Sequence, residues 1–376
     1  MEQKEKLKEV AWVFFKLGCV AFGGPAAHIA MMEEEVVRKR QWMARDHFLD
    51  LMGATNLIPG PNSTEMTMHC GYERAGKTGL FLAGICFIFP AVILTGILAW
   101  LYKEYGALPE VAPFVAGIKP VVLAIIASAI FKLGKKALKS VPLGILGALA
   151  LIATLAGVHE ILALLGAGVA GALFFYARAA GRSRMHLAWP LWLLLPTLNQ
   201  VNQAGTFKVF WAFLKIGAVL YGSGYVLFAY LDAEVVTRGW LTRQQLMDAV
   251  AAGQFTPGPV LSTATFVGFQ IQGVWGALAA TAGIFLPSFL LVWLLNPLIP
   301  RLRQSPLLSY FLDSVNIAAV AVMVAVLLAM GTETLADGPS VIIAVMGLLL
   351  TFGPYKLSSP YLVLGGALLG YVLNWI

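Results

Sequence analysis

The sequence predicts an all-α polytopic membrane protein. It is built from two inverted-topology repeats, with broken or re-entrant helices at Phe-Gly-Gly-Pro and Pro-Gly-Pro motifs. Three observations carry this. Of 376 residues, 59% are hydrophobic and only 12% charged, against roughly a quarter charged in soluble domains. Apolar runs near the length of about 20 residues that crosses a bilayer recur along the chain. The third observation is that a set of motifs occurs twice.

The duplication is read from ordered matches. Phe15-Lys16-Leu17-Gly18 with Phe22-Gly23-Gly24-Pro25 pairs with Leu214-Lys215-Ile216-Gly217 and Tyr221-Gly222-Ser223-Gly224. Glu33-Glu34-Glu35-Val36-Val37 pairs with Asp232-Ala233-Glu234-Val235-Val236, and Trp42-Met43-Ala44-Arg45 with Trp240-Leu241-Thr242-Arg243. Pro59-Gly60-Pro61 pairs with Pro257-Gly258-Pro259, and Phe89-Pro90 with Leu286-Pro287. The offset stays between 197 and 199 residues. Such self-similarity marks an internal repeat. A Pro-Gly-Pro triplet cannot continue a helix, because proline lacks a backbone donor and restricts the residue before it. At membrane depth such a break is tolerated only inside protein or along a cavity. Paired repeats with broken helices point to a secondary transporter with its site where the breaks face each other.

Each element follows from the pattern. Residues 1–10 are polar, with Lys4, Lys6 and Lys8 balanced by acids, and read as a cytoplasmic amphipathic lead-in. Residues 11–32 are apolar but interrupted at Gly23-Gly24-Pro25, and the link 33–47 carries Arg38, Lys39, Arg40 and Arg45. Residues 48–72 break at Pro59-Gly60-Pro61, and Arg74 and Lys77 follow. Uninterrupted spans are predicted at 79–102, 111–131, 141–157 and 160–177. The first repeat covers 1–185, a linker with a short apolar piece covers 186–204, and the second repeat covers 205–376. The second repeat has broken segments at 208–231 and 246–270 and spans at 274–296, 309–330, 338–353 and 358–376.

Cytoplasmic loops carry the excess of Lys and Arg. Starting inside, the count of spans places Lys132, Lys135, Lys136, Lys139, Arg178, Arg182 and Arg184 inside and His159 outside. If the linker crosses, the second repeat starts outside, and Arg301, Arg303 and Lys356 fall inside. That odd crossing inverts the halves. Arg38, Lys39, Arg40 and Arg45 favour a re-entrant first hairpin, and Arg238 and Arg243 favour the alternative.

The formal charge of +7 lies mostly between apolar runs, not in a block interleaved with aromatics, so no nucleic-acid partner is expected. Cys19, Cys70 and Cys86 show neither metal-ligand nor disulfide-framework spacing. No nucleotide-binding loop, metal-ligating His pair or nucleophile elbow occurs. The chain therefore reads as a carrier rather than an enzyme. No cofactor or metal is expected.

Phe22-Gly23-Gly24-Pro25 and Pro59-Gly60-Pro61 followed by Ser63-Thr64, in a duplicated membrane protein, resemble the chromate ion transporter family as a long-chain, two-domain member. The resemblance covers essentially the whole chain. It implies export of chromate across a bacterial inner membrane, driven by membrane potential or proton gradient and conferring chromate resistance. An antiport mechanism is part of that expectation. Sulfate or another oxyanion on the same architecture is the alternative, and a membrane enzyme a remote one. The second copy departs from the first motif, with Tyr221-Gly222-Ser223-Gly224 and no proline. The expected partners are the chromate or sulfate oxyanion and membrane lipid, with proton coupling and a homodimer left open.

Chromate is a tetrahedral dianion. Helix N-termini offer it free N–H groups and a partial positive charge. Helices restarting after Gly24-Pro25 and Gly60-Pro61, and after Gly222-Ser223-Gly224 and Gly258-Pro259, supply such ends. Ser63, Thr64, Ser262 and Thr263 add hydroxyls, and Asn56 and Gln254 add amides at matching positions. These groups, with Gly23, are expected to line one midplane site. Lys16 and Lys215 are expected beside it to offset dianion desolvation, with snorkelling lysines as the alternative. Glu33, Glu35, Asp232, Glu234, Arg45 and Arg243 are candidates for gating ion pairs or proton coupling, against solvated helix-end charge. Glu65 is a single-copy candidate for coupling, and His28 reads rather as packing.

Overall fold

A computed structural model describes residues 2–22, 24–55, 58–106, 108, 110–179, 204–221, 224–295, 305–353 and 357–373. Linker residues 186–203, Arg182, Arg184, Arg301, Arg303, Lys356 and the site candidates Gly23, Asn56, Gly222 and Ser223 lie outside the described residues. Every regular element described is helical.

The first copy opens with α1, Glu2–Val20, so the polar lead-in is continuous with the apolar run. The helix ends at Val20, and the chain restarts as α2, Pro25–Met32, which continues as a π-helix, Glu33–Lys39. Helix α3, Arg45–Thr55, leads to the Pro-Gly-Pro break. Helix α4, Asn62–Tyr105, is interrupted at Ala75 and Gly76, where Gly76 takes φ 65°. There the chain reverses. A methyl on Gly71 would overlap the Gly79 carbonyl, and one on Gly84 would stand 3.0 Å from Met68 Cγ. Residues 62–74 therefore pack back along residues 77 onward, and only small residues permit that approach. The long limb, 77–105, is the first uninterrupted span. Helices α5, Ala112–Ala137, α6, Val141–Leu155, and α7, Glu160–Ala179, complete the copy.

The second copy repeats this. It runs α8, Thr206–Val219, a 3-10 turn at Gly224–Val226, α9, Leu227–Leu231, and a π-helix at Asp232–Val236. Helix α10, Arg243–Phe255, precedes a 3-10 turn at Val260–Ser262 and α11, Thr263–Leu295. α11 reverses at Gln272 and Gly273, whose dihedrals match those of Ala75 and Gly76 within about 10°. Helices α12, Pro306–Thr334, α13, Gly338–Phe352, and α14, Ser359–Leu373, follow. Among the described residues five helices are long and apolar enough to cross a membrane, and α6, α13 and α14 are shorter apolar helices.

Each broken segment returns to the side where it began. Glu9 of α1 meets Arg40, beyond the π-helix, at 2.8 Å and Arg74, at the end of the short limb of α4, at 2.7 Å. His47, at the start of α3, lies 3.2 Å from Glu73. These contacts define an Arg74 face. On the opposite, Gln272 face, the Gln272 amide donates to the Ala204 carbonyl.

The copies meet along the long limbs of α4 and α11, which run antiparallel. Lys77 lies over the Trp293 ring and Phe81 stacks on Phe289 at one end. The Gln270 amide donates to Ala99 O at the other, 2.8 Å. Beside them α7 and α6 of the first copy pack on α12 of the second, while α14 and α13 of the second pack on α5 of the first. Glycines close these crossings: Gly117 against Gly366 and Gly370, and Gly168 against Phe311 and Val315. In lipid this small-residue packing takes the place of a hydrophobic driving force between helices.

Candidate functional site

The four breaks meet in pairs, and each pair joins the two copies. The Gly258 N–H donates to Ala21 O, 2.8 Å, and the Gly60 N–H donates to Leu220 O, 2.6 Å. Both donors are glycines at positive φ, 89° for Gly258 and 142° for Gly60, which L side chains rarely adopt. The pairings are offset along the antiparallel limbs. Ala91 lies beside Gly258 and Ser288 beside Gly60. Taking Phe81–Phe289 as the register, Ser288 stands level with position 82 of α4; at about 1.5 Å rise per residue the two junctions are roughly 14 Å apart along the limbs. The single site expected from sequence is thus two junctions, one on either side of the midplane between the limbs.

Their chemistry differs. At the Ala21–Gly258 junction, the Thr95 hydroxyl of α4 lies 3.2 Å from Ser262 Oγ and 3.4 Å from Thr256 Oγ1. The Thr263 hydroxyl donates to Val260 O at 2.8 Å and is buried. Gln254 is buried nearby in sequence, and its Nε2 has no hydrogen-bond partner among the described residues. Gly24 caps α2 at φ 83° with Pro25 at the first turn. His28 is buried and packs edge-on against Phe87, and neither ring nitrogen has a hydrogen-bond partner among the described residues. At the Leu220–Gly60 junction the residues equivalent to Thr256 and Thr95 are Ile58 and Val292, which pack together with Met68 and Leu80. Here the polar groups are Glu65 and Ser288, whose Oε1 and Oγ flank the Gly60 Cα so closely that a methyl would overlap both. Glu65 is fully buried, and neither carboxylate oxygen has a hydrogen-bond partner among the described residues; nor has Thr64 Oγ1. Ser63 is buried beside them in the same turn.

Helix starts at the junctions lack side-chain caps. Helix α2 after Gly24, α4 after Pro61 and the 3-10 turn after Pro259 have none. By contrast α6, α10, α12 and α13, which start at the faces, are capped by Ser140, Thr242, Ser305 and Asp337. Helices α5 and α8 also start uncapped at the faces, where water can serve the free N–H groups. Gly224 opens the remaining tip element as a 3-10 turn.

The matched charges form matched ion pairs away from the tips. Lys16 and Lys215, expected beside the oxyanion, sit a turn before the breaks, but their ammonium groups reach Glu35 at 3.4 Å and Glu234 at 2.7 Å. Arg45 pairs with Glu33 at 2.9 Å, and Arg243 with Asp232 at 2.8 Å. All four acids lie on the two π-helices. The copies differ in closure. Arg243 also holds Glu333 and its side chain is 25% exposed, whereas that of Arg45 is 66% exposed. Helix α10 packs against α5 and α14, while among the described residues α3 makes no comparable packing on α12 or α7.

At the Arg74 face, burial pushes the Glu9 carboxyl up, but hydrogen bonds from Arg74, Arg40 and Trp42 outweigh it and leave it below the usual range. An open cavity of about 540 Å³ there is lined by Glu2, Glu5, Lys6, Glu9 and Arg74. Its acidic lining does not suit a dianion.

Sequence reasoning missed Thr95, Thr256 and Ser288, which complete the junctions, and a buried cluster of Asp248, Tyr102 and Lys119. Asp248 equals Asp50 at the repeat offset of 198, a signal that could have marked it.

Comparison with known proteins fits this architecture. A family model described as chromate transporter matches residues 8–172 and again 207–371, one match to each copy. The chromate transport protein of Cupriavidus metallidurans is 30% identical over 97% of this chain and 93% of its own. The probable chromate transport protein of Synechococcus elongatus is 29% identical over 98% and 96%. The chromate transport protein of Pseudomonas aeruginosa is 30% identical over 87% and 82%. No solved structure matches. Two copies of the family's repeat, spanning nearly the whole chain, make this protein a member of the chromate transporter family.

Proposed function

We propose that this protein is a secondary transporter that exports chromate, or a like tetrahedral oxyanion such as sulfate, across a bacterial inner membrane. The carrying observation is the Ala21–Gly258 junction: uncapped helix starts from both copies beside the Thr95–Thr256–Ser262 hydroxyls, with no acid among them. Neutral donors and helix N-termini are what a desolvated dianion needs. The Leu220–Gly60 junction carries Glu65 and is the coupling side rather than the anion side.

The antiparallel limbs support an inverted-repeat reading, with the Arg74 face cytoplasmic because Arg38, Lys39, Arg40, Arg74 and Lys77 cluster on that side. The tighter pairing of Arg243 and the looser pairing of Arg45 then make the described state closed outside and the more open of the two inside. Exchange between these arrangements of α3 and α10 would supply alternating access. With the cell interior negative, each charge gains about 2.3 kcal/mol per 100 mV on leaving. A dianion gains roughly twice that, so potential alone suffices for export and for chromate resistance.

The test is chromate uptake into everted inner-membrane vesicles, with and without an energised membrane and with excess sulfate. Energy-dependent uptake that sulfate blocks supports oxyanion export. Sulfate uptake without chromate uptake would replace the substrate, and no flux of either by folded protein would refute transport.

A further inference from the structure

Asp248 lies on α10, five residues in from Arg243, and its side chain is 5% exposed. The Tyr102 hydroxyl, from the end of α4, donates to its Oδ2 at 2.7 Å. Lys119, from α5 and 20% exposed, stands 3.8 Å from the same oxygen. Oδ1 has no hydrogen-bond partner among the described residues. Helix α11 also packs on α10 and carries no titratable residue, and α14 brings only Tyr361 and Tyr371. α12 and the π-helix bring Glu333 and Asp232, both held by Arg243, and Glu234, held by Lys215; α9 brings Tyr230, which donates to Val219 O. The ionised pair is therefore Asp248 with Lys119, and Tyr102 is its hydrogen-bond donor.

Two features link this cluster to the anion junction. Tyr102 follows Thr95 by seven residues, so both lie on one face of α4, about 10 Å apart. α10 itself ends in the break that holds Thr256 and Gly258. Polar side chains thus stand at both ends of this stretch, the hydroxyls at the junction and Asp248 with Tyr102 towards the Gln272 face, while Leu98 and Ala99 of α4 and Ala249 to Gly253 of α10 lie between them. A buried ionisable residue at membrane depth is expensive and is a functional candidate by default.

We propose that Asp248 is a proton-binding site whose occupancy sets the charge that Lys119 offers to the oxyanion. This rests on the transport reading above. Ionised, the pair is neutral overall. When Asp248 takes up one proton on its carboxylate, Lys119 keeps its own, and the cluster carries one net positive charge towards the dianion. Anion binding and protonation then favour one another, since linkage between two binding sites is reciprocal. One proton accompanies each dianion, so one net negative charge moves and the gain from the membrane potential is half that of the bare dianion. Tyr102 is a positioning residue that stabilises the ionised carboxylate.

The test uses purified full-length protein in proteoliposomes, with chromate flux by absorbance and proton movement by a pH electrode in weak buffer. The wild type is expected to move protons in the same direction as chromate. Asp248→Asn is expected to lose the proton signal, while its chromate flux ceases to vary with pH. Tyr102→Phe, which keeps the ring, is expected to shift the pH midpoint of transport upward by roughly one unit, because a donor to the carboxylate is lost. Chromate flux with no proton movement in the wild type, counter-directed protons, or a proton signal surviving in Asp248→Asn would each overturn the proposal and leave transport standing. If Asp248→Asn fails to fold, an unshifted midpoint in Tyr102→Phe overturns it instead. No chromate flux in the wild type would overturn the transport reading and this proposal with it.

Discussion

Gly258→Ala tests whether the junction geometry sets anion affinity. The new methyl would stand 3.0 Å from Ala91 Cβ and 3.3 Å from Gly18 O, both borne on backbones that cannot rotate away. The φ of 89° adds a left-handed penalty of about 1–2 kcal/mol. Overpacking at a close contact adds about 1–3 kcal/mol. The tip must shift, and the Gly258 N–H to Ala21 O bond lengthens. Gly273→Ala is the control: its φ is 58°, but no atom lies within 4 Å of the new methyl. It carries the backbone penalty alone, in a turn at the membrane face. Both variants should lower Tm. Only Gly258→Ala should also raise the KM for chromate uptake in everted vesicles, by about 5- to 30-fold if 1–2 kcal/mol reaches the bound state. Ala91→Gly added to Gly258→Ala removes the nearer contact and should recover part of the affinity. A Gly258→Ala protein with lowered Tm and wild-type KM would refute the reasoning.

Three further outcomes are expected. Thr256→Val with Ser262→Ala strips the hydroxyls from the Ala21–Gly258 junction and should raise the chromate KM about tenfold or more, without the steric cost of the glycine variant, as read by vesicle uptake. Glu65→Gln should leave chromate binding near wild type by equilibrium dialysis and shift, without abolishing, the pH dependence of flux; an unchanged profile would remove Glu65 from coupling. Glu9→Gln should lower stability by about 1–2 kcal/mol near neutral pH, because two arginines lose their shared acceptor. Since the folded Glu9 carboxyl sits below its ordinary value, that contribution is present above the ordinary value and lost as pH falls through the folded one. The stability difference from wild type should therefore vanish in acid.

Much of the architecture was legible because backbone breaks have few causes. Gly60, Gly258 and Gly24 take positive φ where the motifs require it, and the repeat offset located their equivalents. The matched acids and bases were also legible, though not their pairing: Lys16 and Lys215 turn to Glu35 and Glu234 rather than to the tips. The reversal at Ala75 and Gly76 was hidden, since Arg74 to Lys77 reads as a polar link between spans. Its cause, backbone contact between Gly71 and Gly79, needs residues eight apart to touch. The two junctions were hidden because each forms between copies, Gly60 with Leu220 and Gly258 with Ala21. Periodicity within one copy carries no trace of that. Asp248 was overlooked for a similar reason: Tyr102 and Lys119 lie more than a hundred residues away, and a lone acid near a helix start looks like a solvated end.

Chromate binding to the purified protein at equilibrium tests the division between the junctions most directly. One chromate per chain is expected, displaced by sulfate, weakened by Gly258→Ala and little affected by Glu65→Gln. Two equivalent chromates per chain, or binding indifferent to Gly258→Ala, would contradict a single anion site at the Ala21–Gly258 junction.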